Sequence, residues 1–102
     1  MSITSHLSAN GQTLQIKIVG RFDFSSLQAF TQEYQKATPK PQAFVLDFEE
    51  CDFLDSSALR VLLALREYAG GDKSDVRIVN CSLDVKKILV ITKLNELFHI
   101  NF

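Results

Sequence analysis

The hydrophobic pattern of this chain switches period several times, and this switching limits the possible folds more than any other feature. Residues 14–18 alternate apolar with polar side chains, as a strand with one buried face does. Residues 58–69 repeat their apolar side chains at helical spacing, and residues 76–79 again have the pattern of a strand. Strands that alternate with helices favour right-handed crossovers. We therefore predict an α/β domain with a mostly parallel sheet and helices packed on it.

An Asn10-Gly11 pair adds an initial hairpin, which makes the predicted sheet mixed. The predicted order is ββαβαβα(α)β in one domain, residues 1–102, because a chain of this length is too short for two. The predicted strands are Ile3–Ser8, residues 14–18 with an end at Gly20, Ala43–Phe48 followed by an exit loop at Glu49–Asp52, Val76–Val79, and His99–Phe102. The predicted helices are residues 25–37 capped by Ser25 and Ser26, Ala58–Ala69, Leu83–Thr92 with Val85, Ile88, Leu89 and Ile91 as apolar positions, and a short turn at Asn95–Phe98.

Charge and composition argue against nucleic acid and membrane partners. Eleven basic residues stand against twelve acidic ones and are scattered along the chain, whereas phosphate binding needs a concentrated basic surface. The beginning of the chain has no charged segment followed by an apolar run, so we expect no secretory signal. Apolar runs such as Val61–Leu65 are far shorter than the roughly 18 to 20 residues that span a bilayer. We expect a cytoplasmic protein without membrane insertion and, at this size, a monomer.

No sequence pattern points to catalysis, a metal or a cofactor. Phosphate-loop, dinucleotide, zincin and hydrolase motifs have no match, and no pair of carboxylates is marked out as general acid and base. The two histidines, His6 and His99, lie near the chain ends. Cys51 and Cys81 form no CxxC pair and are expected to be small buried side chains in a reducing compartment. We predict that the protein is not an enzyme.

The segment Leu54-Asp55-Ser56-Ser57 lies where a strand exit is predicted to turn into a helix. Capping alone explains these residue types, because Asp and Ser oxygens accept hydrogen bonds from the unpaired amides of a first turn. The helix has an inward stripe at i, i+3, i+4, i+7 spacing, made of Ala58, Val61, Leu62, Leu65 and Ala69. A second stripe contains Ser56, Leu59, Arg60 and Leu63. This second stripe is either a docking surface or a face on which the two leucines pack against a neighbouring helix.

A phosphate on Ser56 would change the second stripe strongly. It would bring about −1.5 to −2 charges to the positive end of the helix dipole, where negative charge is tolerated. Arg60 follows one turn later and could partly neutralise the phosphate. A partner that buries the stripe would be released, because desolvating an unmatched dianion costs several kcal/mol. These residues predict a local electrostatic switch.

The same residues resemble the STAS domain family, the sulfate transporter and anti-sigma factor antagonist fold, and in particular its stand-alone bacterial antagonists. The resemblance covers nearly the whole chain. It is most specific at residues 53–59, Phe-Leu-Asp-Ser-Ser-Ala-Leu, which are similar to the family's phosphorylation-site motif, with weaker matches at Gly20-Arg21-Phe22-Asp23 and at residues 79–89. The resemblance implies that Ser56 accepts the phosphate, with Ser57 as the alternative acceptor. It also implies that Asp23 and Asp55 shape the partner contact. A purely structural role, in a turn or a helix cap, explains both residues equally well.

The resemblance further implies a cycle of partner exchange. The unphosphorylated chain would bind an anti-sigma factor or a serine kinase, phosphorylation would release it, and a PP2C-type phosphatase would restore it. The kinase, rather than this chain, would bind ATP. The family often has Gly at the position of Ala58 and a small residue at that of Arg60. Because Arg60 alters the docking surface, we expect a partner unlike the best-known kinases, such as an anti-sigma protein of another fold or a multidomain response regulator.

Two other functions stay open at the level of the sequence. Some STAS domains serve lipid or anion transporters, and the chain could be such a constitutive subunit of a membrane transport assembly, with no phosphate cycle. A small ligand or nucleotide could also bind at the loop before the helix. Neither alternative needs modification of Ser56.

Overall fold

The chain begins with a hairpin and then alternates strands with helices. The computed structural model describes residues 2–100, so the predicted strand positions Asn101 and Phe102 lie outside the described residues. The strands are β1 (Ser2–Leu7), β2 (Thr13–Phe22), β3 (Ala43–Asp47), β4 (Cys51–Leu54), β5 (Val76–Val79) and β6 (His99–Ile100). The α-helices are α1 (Leu27–Gln35), α2 (Ser56–Tyr68) and α3 (Leu83–Ile91), and short 3₁₀ turns lie at Phe24–Ser26, Gly71–Lys73 and Leu94–Glu96.

The sheet is mixed and mostly parallel. β1 runs antiparallel to β2, with Ile3 opposite Ile18 and Leu7 opposite Leu14. β2, β3, β5 and β6 then pair in parallel, in that order. Each parallel pair is joined by a connection that contains a helix, as parallel strands require. The predicted fold class is confirmed, including the initial hairpin.

Two predictions are wrong at the end of β2. This strand does not stop at Gly20 but continues to Phe22, with a shift of register between Gly20 and Arg21. Residues 49–52 are not simply a loop, because Cys51–Leu54 forms β4 and pairs in parallel with the end of β2. Gly20 has a φ of 90°, a conformation that glycine adopts without strain, and the strand bends there. The backbone groups beyond the bend need new hydrogen-bond partners, and β4 supplies them.

The start of α1 also differs from the prediction. Ser25 and Ser26 do not cap this helix with their side chains: α1 has no side-chain cap, and the Ser26 hydroxyl donates to the Arg21 carbonyl at 3.3 Å. A 3₁₀ turn precedes α1 and takes its cap from Asp23. The helix therefore begins only at Leu27. The other helix ends agree with the prediction to within about two residues, which is the ordinary uncertainty of such boundaries.

One face of the sheet forms the core together with the helices. Gln15 and Arg77, which alternate with core residues along their strands, are exposed. The ring of Phe22 in β2 lies 5.0 Å from that of Phe30 in α1 and 6.3 Å from that of Phe48, measured between centroids. These three buried rings hold α1 against the sheet directly beneath the bend of β2. No helix within residues 2–100 is long and apolar enough to cross a membrane.

Candidate functional site

Ser56 is the first residue of α2, and its position follows from the bend of β2. β4 pairs with the last residues of β2, so that Leu54 stands opposite Phe22. This pairing places the loop after β2, residues 23–26, beside the turn from β4 into α2, residues 54–57. We call these two segments the paired loops. The residues predicted for the site all lie on the paired loops or on α2: Asp23, Asp55, Ser56, Ser57, Leu59, Arg60 and Leu63.

Asp55 connects the paired loops through both carboxylate oxygens. Its Oδ1 accepts a hydrogen bond from the amide of Ala58 at 2.9 Å, which caps α2. Its Oδ2 accepts from the amide of Phe24 at 3.1 Å, and its own amide donates to the Phe22 carbonyl at 3.2 Å. The capping interpretation of Asp55 therefore describes its bonds. The same carboxylate also fixes the neighbouring loop, which a cap alone would not do.

Asp23 organises the other loop in a similar way. Its Oδ1 accepts from the Ser25 amide at 3.0 Å and from the Ser25 hydroxyl at 2.6 Å. The hydroxyl bond is the main reason that the pKa of Asp23 is lowered, with a further contribution from the Arg21 guanidinium 3.8 Å away. Arg21 in turn lies over the ring of Phe53, 4.1 Å from its centroid. Asp23 is thus held as a carboxylate in a turn that spans from β2 to α1.

The two candidate hydroxyls have different surroundings. Ser56 is exposed, whereas Ser57 is half-buried. Ser57 lines a depression of about 380 Å³ between α1 and α2, together with Phe24, Leu27, Thr31, Arg60, Val61 and Ala64. An enzyme that modifies this turn would meet the Ser56 hydroxyl more directly than that of Ser57. Arg60 is exposed and shares the depression with Ser57.

The residues in the second stripe of α2 differ in their exposure. The inward positions agree with the prediction, since Ala58, Val61, Leu62 and Leu65 are buried and Ala69 is half-buried. Leu59 is half-buried and packs against the hydrophobic core. Leu63 keeps 39% of its surface exposed. Of the two leucines, only Leu63 has the exposure that a docking surface needs.

Phe24 belongs to this region and was not predicted as part of the site. Its side chain is 75% exposed, although its amide is held by Asp55. No pattern in the sequence marks this exposure, because it depends on how the two paired loops meet. Phe24 adds a large apolar group to the exposed surface beside Ser56.

The cysteines show no sign of chemical activation. Cys51 is buried, and burial raises the pKa of the half-buried Cys81 to about 11. A thiol with so high a pKa carries little thiolate at neutral pH and is a weak nucleophile. No group of His, Cys, Asp and Glu side chains among the described residues has the arrangement of a metal site.

Comparisons with known proteins show the family and the fold of this chain. Residues 5–99 match the family model described as Mlab, STAS domain. A STAS-domain containing protein of Pseudomonas aeruginosa is 45% identical over 101 residues, which cover 99% of this chain and 100% of the relative. The unphosphorylated form of the anti-sigma factor antagonist SpoIIAA superimposes with a TM-score of 0.72 at 16% identity, covering 99% of this chain and 88% of that one. A sulfate transporter family protein from Wolinella succinogenes does so with a TM-score of 0.74 at 13% identity, covering 92% and 80%.

Proposed function

The chain belongs to the STAS domain family, and from this premise we propose that it is an anti-sigma factor antagonist controlled by phosphorylation of Ser56. The unphosphorylated chain binds an anti-sigma factor or a serine kinase in the cytoplasm, phosphorylation releases it, and a PP2C-type phosphatase reverses the modification. In this role the chain is an interaction module without catalysis or a cofactor. The proposal depends mainly on one observation: Ser56 is exposed at the start of α2, with exposed apolar side chains on the adjoining loop and on the same helix.

The start of α2 suits a phosphate. Asp55 already bonds the amide of Ala58, while the first amides of a helix have no partner inside the helix and can face an anion. The positive end of the helix dipole lies at the same place. Arg60, exposed one turn later, supplies a cation within reach of the first turn. The modification therefore requires no rearrangement of the fold.

The same phosphate makes the surface unfavourable for an apolar partner. Before modification, the region offers the exposed Phe24 beside the carboxylates of Asp23 and Asp55, and the exposed Leu63 two turns further along α2. A group of about −1.5 to −2 charges beside these carboxylates turns the region strongly acidic. Burying it against a partner would cost several kcal/mol unless the partner supplied matching cations. The fold shared with SpoIIAA, which is described in an unphosphorylated form, supports a phosphate-dependent interaction of this kind.

Variants at Ser56 test the proposal. We expect Ser56→Asp to weaken binding to the anti-sigma factors and serine kinases of the same organism, and Ser56→Ala to bind constitutively, as measured by titration calorimetry. Both variants should melt within a few degrees of the parent protein, because Ser56 is exposed. Intact-mass spectrometry of protein recovered from its own cells should find a phosphate on the parent and on the Ser57→Ala control, but not on Ser56→Ala. Equal partner affinity for Ser56→Asp and Ser56→Ala would refute the switch.

A constitutive role in a transport assembly is the second candidate, because a sulfate transporter family protein shares the fold. In that case Ser56→Ala would retain full function, and the chain would co-purify persistently with a membrane ATPase. Phosphate on Ser56 in the cell, together with release of the partner, would count against this role.

A further inference from the structure

The depression between α1 and α2 is recessed, and two helices line it. Its lining includes the buried Val61 together with the half-buried Leu27 and Thr31 of α1 and Ser57 of α2. The exposed Phe24 of the paired loops lines it as well. Its volume is about 380 Å³, and its lining is mostly apolar. Such a depression can receive a large apolar side chain from another molecule.

Among the described residues, Arg60 is the only charged one that lines this depression. Its side chain is exposed and forms no hydrogen bond or ion pair with another described residue. The carboxylates of the paired loops are engaged elsewhere. That of Asp55 accepts from two backbone amides, and that of Asp23 accepts from Ser25 and lies 3.8 Å from the Arg21 guanidinium. A free cation beside an apolar depression is complementary to an apolar group that has a carboxylate next to it.

Arg60 also lies on the same side of α2 as Ser56. The two residues are four apart in the helix, which is the spacing at which side chains are neighbours. Long side chains in a helix lean toward its N-terminus, and Ser56 is the first residue of α2. A phosphate on Ser56 would therefore meet the Arg60 guanidinium without movement of the backbone. The same cation serves two neighbouring positions, the depression and the Ser56 hydroxyl.

We propose that Arg60 binds a carboxylate of the partner protein in the unphosphorylated chain and exchanges it for the phosphate once Ser56 is modified. This inference rests on the proposed function and deepens it, because it names what the partner presents: a large apolar side chain for the depression, with an Asp or Glu beside it. Phe24 lines the depression and also belongs to the exposed surface next to Ser56, so a protein bound over Ser56 covers both. Phosphorylation then acts twice, since it adds negative charge and removes the cation that holds the partner.

The first test uses a small probe of the same chemistry and needs neither the partner nor a kinase. The full chain is titrated with phenylbutyrate, which has an apolar body and a carboxylate, and with the neutral phenylbutanol, and backbone NMR follows the binding. We expect millimolar binding of phenylbutyrate at the depression, and binding of the alcohol that is weaker by at least about threefold. Arg60→Gln should remove this preference. The matched control Arg77→Gln, at an exposed position in β5 outside the depression, should keep it.

The second test measures the phosphate itself. The chain is produced with phosphoserine encoded genetically at position 56, and phosphorus NMR gives the second pKa of the phosphate. Arg60→Gln should raise this pKa by about 0.3, because a cation four residues along the helix favours the dianion, and Arg77→Gln should leave it unchanged. The charges of Asp23, Asp55 and Arg21 are the same in all these proteins. The phosphate should also weaken binding of phenylbutyrate at least about threefold more than binding of phenylbutanol.

Three results would overturn the proposal. Absence of probe binding at the depression, or equal binding of the two probes, would remove the carboxylate site. An unchanged phosphoserine pKa in Arg60→Gln would remove the exchange, because the phosphate would then not engage the arginine. Micromolar binding of phenylbutyrate would assign the depression to a free small acid rather than to a partner protein. These measurements are independent of whether Ser56 is phosphorylated in the cell, which the Ser56 variants test separately.

Discussion

Asp55 uses each carboxylate oxygen for a different segment of the chain. One oxygen caps α2 through the Ala58 amide, and the other holds the amide of Phe24 on the neighbouring loop. A single side chain thus sets both the start of the helix that carries Ser56 and the position of the exposed ring beside it. This is a structural role, and it does not depend on what binds to the surface.

Substitution of Asp55 should separate these two bonds. Asp55→Asn can keep one acceptor oxygen for the cap, but it presents an NH₂ group to the amide of Phe24, which is also a donor. We expect this substitution to lower the free energy of unfolding by about 1 kcal/mol. Asp55→Ala loses both bonds and should cost about 2 kcal/mol. Urea denaturation measures both values. Asp52→Asn, at an exposed position in β4, is the control and should stay within about 0.5 kcal/mol of the parent. Equal stability of all three variants would mean that the carboxylate bonds are lost in solution.

At the scale of the element, α2 has one buried face and one exposed face. Leu62 is fully buried, whereas the next residue, Leu63, is exposed on the same side of the helix as Ser56. Two adjacent leucines in one helix therefore have different surroundings, although they have the same intrinsic helix propensity. This pair allows a direct comparison of stability with binding.

The comparison uses Leu62→Ala and Leu63→Ala. Leu62→Ala removes a buried side chain and should lower the free energy of unfolding by about 2 to 5 kcal/mol. Leu63→Ala should cost less than about 1 kcal/mol but should weaken binding of the proposed anti-sigma partner, because Leu63 is an exposed leucine on the same side of α2 as Ser56 and is suited to be an anchor. Denaturation and calorimetry on the same samples provide both quantities. If Leu63→Ala destabilises the protein as much as Leu62→Ala without an effect on binding, Leu63 belongs to the core.

At the scale of the whole molecule, the bend of β2 joins the fold to the site. Before the bend, β2 pairs with β3; after it, β2 pairs with β4, which leads directly into Ser56. The rings of Phe22, Phe30 and Phe48 fill the space beneath this point. The position of Ser56 therefore depends on packing between elements that are distant in the sequence.

Phe22→Ala should disturb the fold and the site together. Loss of this buried ring should cost about 3 to 5 kcal/mol in the free energy of unfolding. The amide of Asp55 donates to the Phe22 carbonyl, so its hydrogen exchange should accelerate more than that of amides in β1. Phe24→Ala, two residues away but exposed, should leave stability within about 0.5 kcal/mol. A similar decrease in the free energy of unfolding in both variants would contradict the packing described for Phe22.

Local patterns in the sequence were sufficient for much of this protein. The alternation of residues 14–18, the hairpin signal at Asn10-Gly11 and the inward stripe of α2 depend only on neighbours along the chain, and each agrees with the structure. The capping chemistry of Asp55 is local in the same sense, because its Oδ1 bonds an amide only three residues away. The family motif at residues 53–59 is likewise a short contiguous segment.

Other features depend on which elements meet, and only the tertiary structure decided them. Cys51–Leu54 is a strand because the bend at Gly20 leaves the end of β2 without a partner, and neither segment contains that information alone. Leu59 packs while Leu63 stays exposed, and Ile91 lies open although Leu89 of the same helix is buried, because burial depends on what covers a side chain. Periodicity in a sequence specifies the faces of an element. Contacts between distant segments determine which of those faces are covered and which stay free to bind.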